Sequence, residues 1–211
     1  MVPALPAWND PAVPAVDVHV TVTAEDPTVL AVSQRSFVLV GGIPGAGKSS
    51  MLARRPIAVP GAVVLDSDPV REWLRERLPA GTPYRRYRGL VHLWYRMQIV
   101  LAALVAVGPV VVHLPATAVL TRVSMVALAM LAFRRRELVW VHAEPAEARQ
   151  GQRSRGRVLS RSCFERHVRR GGAFVARLRS GHRPPGWHRV TLLDRRQAGR
   201  GLVLATPSRR G

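Results

Sequence analysis

The stretch Gly42-Ile43-Pro44-Gly45-Ala46-Gly47-Lys48-Ser49 follows the short apolar run Phe37 to Val40 and opens a segment of helical character. The spacing is GxxxxGKS, the phosphate-binding loop or P-loop, and a strand before it and a helix after it is the setting that gives the pattern its meaning. Glycines permit positive φ and a close backbone approach. Successive N–H groups then form a concavity for a β-phosphate at the start of the helix. In this arrangement Lys48 reaches the β and γ oxygens and Ser49 holds Mg²⁺. The expected nucleotide-binding residues are therefore Gly42, Ile43, Pro44, Gly45, Ala46, Gly47, Lys48, Ser49 and Ser50, with ATP and Mg²⁺ as cofactors.

Lys48 is the single lysine among 32 basic side chains. A composition rich in Arg, Ala, Gly, Pro and Val turns surface lysines into arginines at little cost. It cannot do so inside the loop, where a compact ammonium fits and a planar, forked guanidinium does not.

Beyond the loop the chain alternates short apolar runs with helical stretches. The runs are FVLV, AVVLD, VVVHL, ELVWVH and RVTLLD, each aliphatic or β-branched and too short for a helix. Helices are predicted at roughly residues 68–78, 85–107, 116–135 and 160–180, and the one opened by the P-loop ends near Arg55, before Pro56. Continuous apolar strands separated by helices indicate a parallel sheet covered on both faces. Upstream, Val16 to Thr23 alternates valine with Asp17, His19 and threonine, which predicts a half-buried edge strand, with TVLAV available to pair with it as a hairpin. Residues 1–15 are rich in Pro and Ala and read as a flexible arm, leaving 16–211 as one domain.

Two further stretches carry chemistry. In VVLDSDPVREWL, Asp66 and Asp68 sit where the second strand ends, at the sheet edge where ligands bind in open α/β folds. Arg71 follows Asp68 by one helical turn, so both can face one cleft. A carboxylate there can accept a proton from a hydroxyl, and an arginine can hold an anionic group. Asp68 before Pro69 also suits a helix N-cap, and the two roles are compatible. After the fourth strand, Arg149, Arg153, Arg155 and Arg157 lie among Gly151 and Gly156, in a lid at about 145–160 that can close over the nucleotide and neutralise charge on a transferring phosphoryl group.

Charge is unevenly placed. Residues 1–83 hold 7 basic and 8 acidic side chains, and residues 84–211 hold 25 and 5, a net of +20. Such a half attracts nucleic acid, nucleotides or acidic surfaces, although solvated helix faces also account for many of the arginines. One cysteine, Cys163, allows no internal disulfide and fits a reducing, cytoplasmic setting as a packing residue. The N-terminus lacks the basic and apolar regions of a secretory signal. The most apolar stretch, Ile99 to Val112, is too short to span a bilayer and is broken at Gly108-Pro109, so no membrane partner is expected. No H-x-x-x-H spacing suggests zinc; His142, after LVWV, reads as a strand-end residue.

The P-loop, the D-x-D-x-x-R of Asp66, Asp68 and Arg71, and the RGR at 155–157 resemble the small P-loop kinases related to polynucleotide kinase and the zeta toxins, over about residues 37–195. The resemblance implies a P-loop NTPase three-layer α/β sandwich with five parallel strands in the order 2-3-1-4-5 and transfer of the ATP γ-phosphate to a hydroxyl. It implies Asp68 as general base, Arg71 on an anionic group of the acceptor, Arg155 and Arg157 in the lid, and Lys48 as a catalytic cation. Ser49 and Asp66 are the metal candidates, with Asp66 also near the acceptor. Thr117 and Arg122, just after the third strand, are placed to line the acceptor cleft, and Arg122 suits a phosphorylated substrate. One departure stands out: the third strand ends in His113, where related enzymes often carry an aspartate associated with the metal, and a neutral imidazole is a poor Mg²⁺ ligand. Three functions remain open: a kinase of a small molecule or nucleic-acid end, a nucleotide-binding regulator whose basic half docks nucleic acid, and a toxin-type kinase of a nucleotide sugar.

Overall fold

The structure is a computed structural model that describes residues 17–20, 28–54, 59–156 and 158–206. The sheet is built from β1 (Asp17–Val20), β3 (Ser36–Gly41), β4 (Val63–Leu65), β5 (Val110–His113), β6 (Arg135–Val141) and β7 (Arg189–Leu193), and β2 (Thr28–Ala31) and β8 (Leu202–Ala205) form a small separate pair. The order is β1-β7-β6-β3-β5-β4, and every pairing is parallel. The five runs read as strands therefore stand in the expected order 2-3-1-4-5, with β1 added beside the fifth.

The helices are α1 (Lys48–Arg54), α2 (Ser67–Arg77), α3 (Tyr84–Val105), α4 (Val119–Leu131), α5 (Pro145–Arg153), α6 (Arg161–Arg179) and α7 (Arg195–Arg200). One core, on the face covered by α3, α4 and α6, joins Tyr95, Ile99, Met125 and Phe174 to Leu39, Val112 and Trp140 of the sheet. The other joins Met51 and Ala198 to Val38, Val40 and Val139, and is closed by Leu30 and Leu202 of the small β2–β8 pair. Central strands buried on both faces explain the unbroken apolar runs: all six residues of β3 are buried.

Three expectations change. The N-terminal hairpin does not form: β1 pairs in parallel with β7, and β2 with β8. Each strand gains a ladder from a distant edge that a hairpin partner would not cover, and β8 itself, LVLA, is short enough to pass as loop. The arginine-rich segment after β6 contains a helix, α5, started by Pro145 and by Glu147 accepting from the Glu144 amide at 3.3 Å. The N-cap of α2 is Asp66 rather than Asp68: Asp66 Oδ1 accepts from the Asp68 amide at 3.1 Å, which places Asp68 inside the first turn. The expected arm at 1–15 lies outside the described residues.

Arginine also works inside this fold. Arg134 is buried and donates to the Ala102, Ala103, Ala106 and Gly108 carbonyls, which satisfies the end of α3.

Candidate functional site

β3 delivers the chain into the phosphate-binding loop, and α5 closes against its side. The contact is backbone to backbone. A Cβ on Gly45, whose φ is +92°, would sit 2.0 Å from the Ala148 carbonyl oxygen, and a Cβ on Gly151 would sit 2.6 Å from the Gly45 oxygen. Buried Gln152 completes the seam. Its amide donates to the Pro44 carbonyl at 3.0 Å, and its oxygen accepts from the Leu159 amide at 2.9 Å. Gln152 thus ties the loop to the segment that leads into α6, a role that sequence reasoning missed because the residue sits unmarked among the arginines.

The inner side of the loop fits a phosphate. Gly47 has φ +99°, and a Cβ there would meet nothing within 4 Å, so the open face of the cradle lies at this position. The first bond into α1 runs from the Met51 amide to the Gly47 carbonyl, which leaves the amides of Lys48, Ser49 and Ser50 ahead of the helical ladder. Lys48 is buried, and its ammonium donates to the Gly42 and Ile43 carbonyls at 2.8 and 2.9 Å. Burial, and then the positive charge of Arg155, lower its pKa to about 7, with Asp66 opposing them. A buried cation hydrogen-bonded to neutral carbonyls is primed for a stronger anionic partner.

Asp66 lies beside this loop. Burial works to raise its pKa, but the His113 hydrogen bond and charge and the Ser67 and Asp68 amides together hold it below the usual carboxylate range. His113 Nδ1 is 2.7 Å from Asp66 Oδ2. Beneath them the Tyr95 hydroxyl lies 2.8 Å from both the Leu65 and His113 carbonyls and pins the ends of β4 and β5 together. Ser49 and Asp66 supply the hard oxygen donors that Mg²⁺ prefers, whereas His113 engages the carboxylate instead of offering a ligand. Arg155 crosses from the end of α5 to the loop, with Nη1 3.4 Å from Ser49 Oγ and Nε donating to the Gly151 carbonyl at 3.2 Å.

A cavity of about 550 Å³ opens beside the loop and reaches Arg155. Pro44 and Gly45 of the loop, Asp68 and Arg71 of α2, and Arg155 all line it. Its far wall is α3, where Tyr84, Arg88 and His92 succeed one another four residues apart along one helix face. Arg71 stacks on the Tyr84 ring at 4.5 Å, and Arg88 donates to His92 at 3.2 Å. That four-residue spacing was a signal available in the sequence. His167 of α6 closes the cavity; its Nδ1 lies 2.7 Å from Thr117 Oγ1. Burial, and then the charges of Lys48, Arg166, Arg170 and Arg88, lower the His167 pKa. Cys163 also lines this cavity, half-buried, instead of packing in the core.

Other expected residues lie elsewhere. Arg122 is buried and donates to the Ala116 and Thr117 carbonyls at 2.7 and 3.0 Å, and its guanidinium stacks on Phe174 at 4.1 Å. It lines a separate cavity between α4 and α6, so it fastens the loop after β5 rather than facing Asp68 and Arg71. Arg149 stacks on Phe164 at 4.5 Å. His142 Nε2 lies 3.4 Å from Glu144 Oε1 at the end of β6. Arg157 falls outside the described residues. No helix among the described residues is long and apolar enough to cross a membrane.

Comparison with solved structures finds a chain of the PezAT chromosomal toxin–antitoxin system of Streptococcus pneumoniae, 13% identical, covering 83% of this chain and 70% of that one, with a TM-score of 0.53. A gluconokinase from Sinorhizobium meliloti is 18% identical over 78% of this chain and 90% of that one, TM-score 0.46. The Deinococcus radiodurans tunicamycin resistance protein is 15% identical over 64% and 79%, TM-score 0.44. No curated protein matches. Residues 37–178, from β3 into the last turn of α6, match the AAA domain family. With its loop, strand order and buried lysine accounted for, the chain belongs to the AAA domain family of nucleotide-binding P-loop NTPases.

Proposed function

We propose that the protein is an ATP-dependent phosphotransferase acting on a hydroxyl of a small molecule or nucleic-acid end. The observation that carries this reading is the shared cavity: loop residues, the Asp68 carboxylate and three arginines, Arg71 of α2, Arg88 of α3 and Arg155 after α5, line one space. In this reading Lys48 and the loop amides hold the β- and γ-phosphates, and Asp68 accepts the proton of the attacking hydroxyl. Arg71 and Arg88 hold an anionic group of the acceptor, and Arg155 neutralises charge on the group in flight. Ser49 and Asp66 are the residues suited to Mg²⁺, which would neutralise the phosphates. Arg157 belongs to the same proposed lid.

A second reading has its own observation. His113 occupies Asp66, one of two metal candidates, and a site with weakened metal binding suits a slow nucleotide-binding regulator whose basic half docks nucleic acid. Labelled γ-phosphate from ATP, offered to pooled hydroxyl metabolites and 5′-hydroxyl oligonucleotides, separates the two. Transfer that Lys48→Ala abolishes supports the kinase. Release of phosphate to water alone, together with oligonucleotide binding that falls steeply with salt, supports the regulator.

A further inference from the structure

The outer face of α3 is apolar as well as its inner face. Tyr87, Val91, Tyr95 and Ile99 are buried against the domain, yet Leu90, Leu93, Trp94, Met97, Val100, Leu101 and Leu104 are each 44–61% exposed. The exposed residues repeat every seven positions: Leu90, Met97 and Leu104 form one line, Leu93 and Val100 a second, and Trp94 and Leu101 a third. That is the spacing of a helix seam that receives another helix. The stripe exposes on the order of 800 Å², about what each partner contributes to a standard interface. Leu120, Val123 and Met130 of α4, which packs on the same sheet face, are exposed as well and extend the apolar surface. Trp73 of α2 stacks on Trp94 at 5.7 Å at the edge of the stripe.

Charge decides what covers this face. Residues 84–136 contain eight arginines and no carboxylate, which at first suggests an anionic partner. Most of those arginines are engaged elsewhere. Arg122 and Arg134 are buried, and Arg88 lines the nucleotide-side cavity. Arg135 pairs with Glu137, and Arg136 donates to the Gly186 carbonyl. Arg85 and Arg86 sit in the first turn of α3, and Arg96 alone lies within the span of the stripe. Arg77 of α2 lies over the Trp73 ring at 4.2 Å at its edge, so the stripe carries one arginine within its span and one at this edge, fewer than the basic rim that holds a helix on an anionic membrane.

We infer that a second copy of this chain covers the stripe, as an isologous dimer in which two α3 helices pack antiparallel about a two-fold axis near Met97. Leu90 of one copy then meets Leu104 of the other, and the Leu93–Trp94 step meets the Val100–Leu101 step. The attraction is apolar, while the two net positive bodies and the facing Arg96 side chains repel. Added salt screens that repulsion, so the dimer tightens as salt rises.

Sedimentation velocity on the full chain tests this. The expected result is a species of twice the 23.2 kDa chain mass at micromolar concentration, retained or strengthened from about 0.1 M to about 1 M NaCl. Leu93→Glu with Leu101→Glu, both at exposed positions, should weaken association at least a hundredfold, about 2.7 kcal/mol or more, with the monomer still folded by circular dichroism. Met97→Cys should form an interchain disulfide on mild oxidation, and Arg169→Cys on α6 should not. A wild type that stays monomeric at about 100 µM, a dimer indifferent to the Glu pair, or one that dissociates as salt rises overturns the proposal. So does a monomer that binds anionic vesicles or an acidic peptide through this face.

Discussion

The two walls of the cavity are made in different ways. On the nucleotide side the backbone does the work: Gly45 and Gly151 let α5 touch the loop, Gln152 stitches it to the next segment, and Lys48 is buried against two loop carbonyls. Little there can move without breaking a seam. On the α2–α3 side the site consists of side chains on two rigid helices: Arg71 leaning on Tyr84, and Arg88 on His92. The first wall tolerates almost no change of residue. The second can be rewritten by substitution while the helices stay in place, which is how one scaffold accommodates many acceptors.

Substitutions at the loop test that contrast most severely. Gly45→Ala should cost about 3 kcal/mol or more, from strain at positive φ and collision with the Ala148 carbonyl, and should abolish ATP binding. Gly47→Ala meets no neighbour, so it should cost about 1–2 kcal/mol and still lose ATP by filling the cradle. Thermal melts with calorimetric titration of ATP separate the two. Lys48→Ala should lose ATP with the fold intact, and Lys48→Arg should lose it too, because the space between the Gly42 and Ile43 carbonyls suits an ammonium. Near-normal affinity in the Arg variant would mean the loop is looser than described.

The arginines sharpen the comparison at the next level. Arg122→Gln should lower stability by about 2–4 kcal/mol, because it removes a buried, stacked donor to two carbonyls, and leave turnover per folded molecule unchanged. Arg155→Gln should do the reverse, slowing turnover with the melting temperature preserved.

His167 gives the smallest effect, and it depends on pH. Its pKa in the folded chain is lowered, so the unfolded chain takes the proton first as pH falls through the ordinary value near 6.5. Folded stability therefore falls below that pH until His167 itself protonates. His167→Asn removes this contribution, so the gap in melting temperature between wild type and variant should narrow from about pH 7.5 to about pH 5.5.

The legible part of the molecule is the part whose chemistry sits in consecutive residues. The P-loop and the Asp66–Arg71 stretch each occupy one short segment; five apolar runs were enough to find the strands, and the resemblance to the small P-loop kinases supplied their order. What was hidden depends on distant partners. β1 and β2 are short strands completed by β7 and β8, so nothing local distinguishes their pairing from a hairpin. Asp66 became the cap of α2 because the helix starts at Ser67, two residues earlier than the Asp68-Pro69 step suggests. Arg122 has the chemistry of an anion ligand, and only the position of Phe174, more than fifty residues away, shows that it points into the protein. Gln152 and His167 carry no motif at all. The stripe on α3 was written in the sequence as apolar residues at a spacing of seven, but burial was needed to show that this side lies uncovered.

The central claim is that phosphate binding belongs to the loop and chemistry to α2. It is tested most directly by measuring ATP affinity and acceptor phosphorylation side by side in Asp68→Asn, with Arg71→Ala as the neighbouring control. The account predicts unchanged ATP affinity, with kcat for transfer reduced by about two to four orders of magnitude in Asp68→Asn and mainly a raised acceptor KM in Arg71→Ala. Near-normal transfer in Asp68→Asn, with transfer lost in Asp66→Asn, would put the base at the helix cap beside His113 and contradict it.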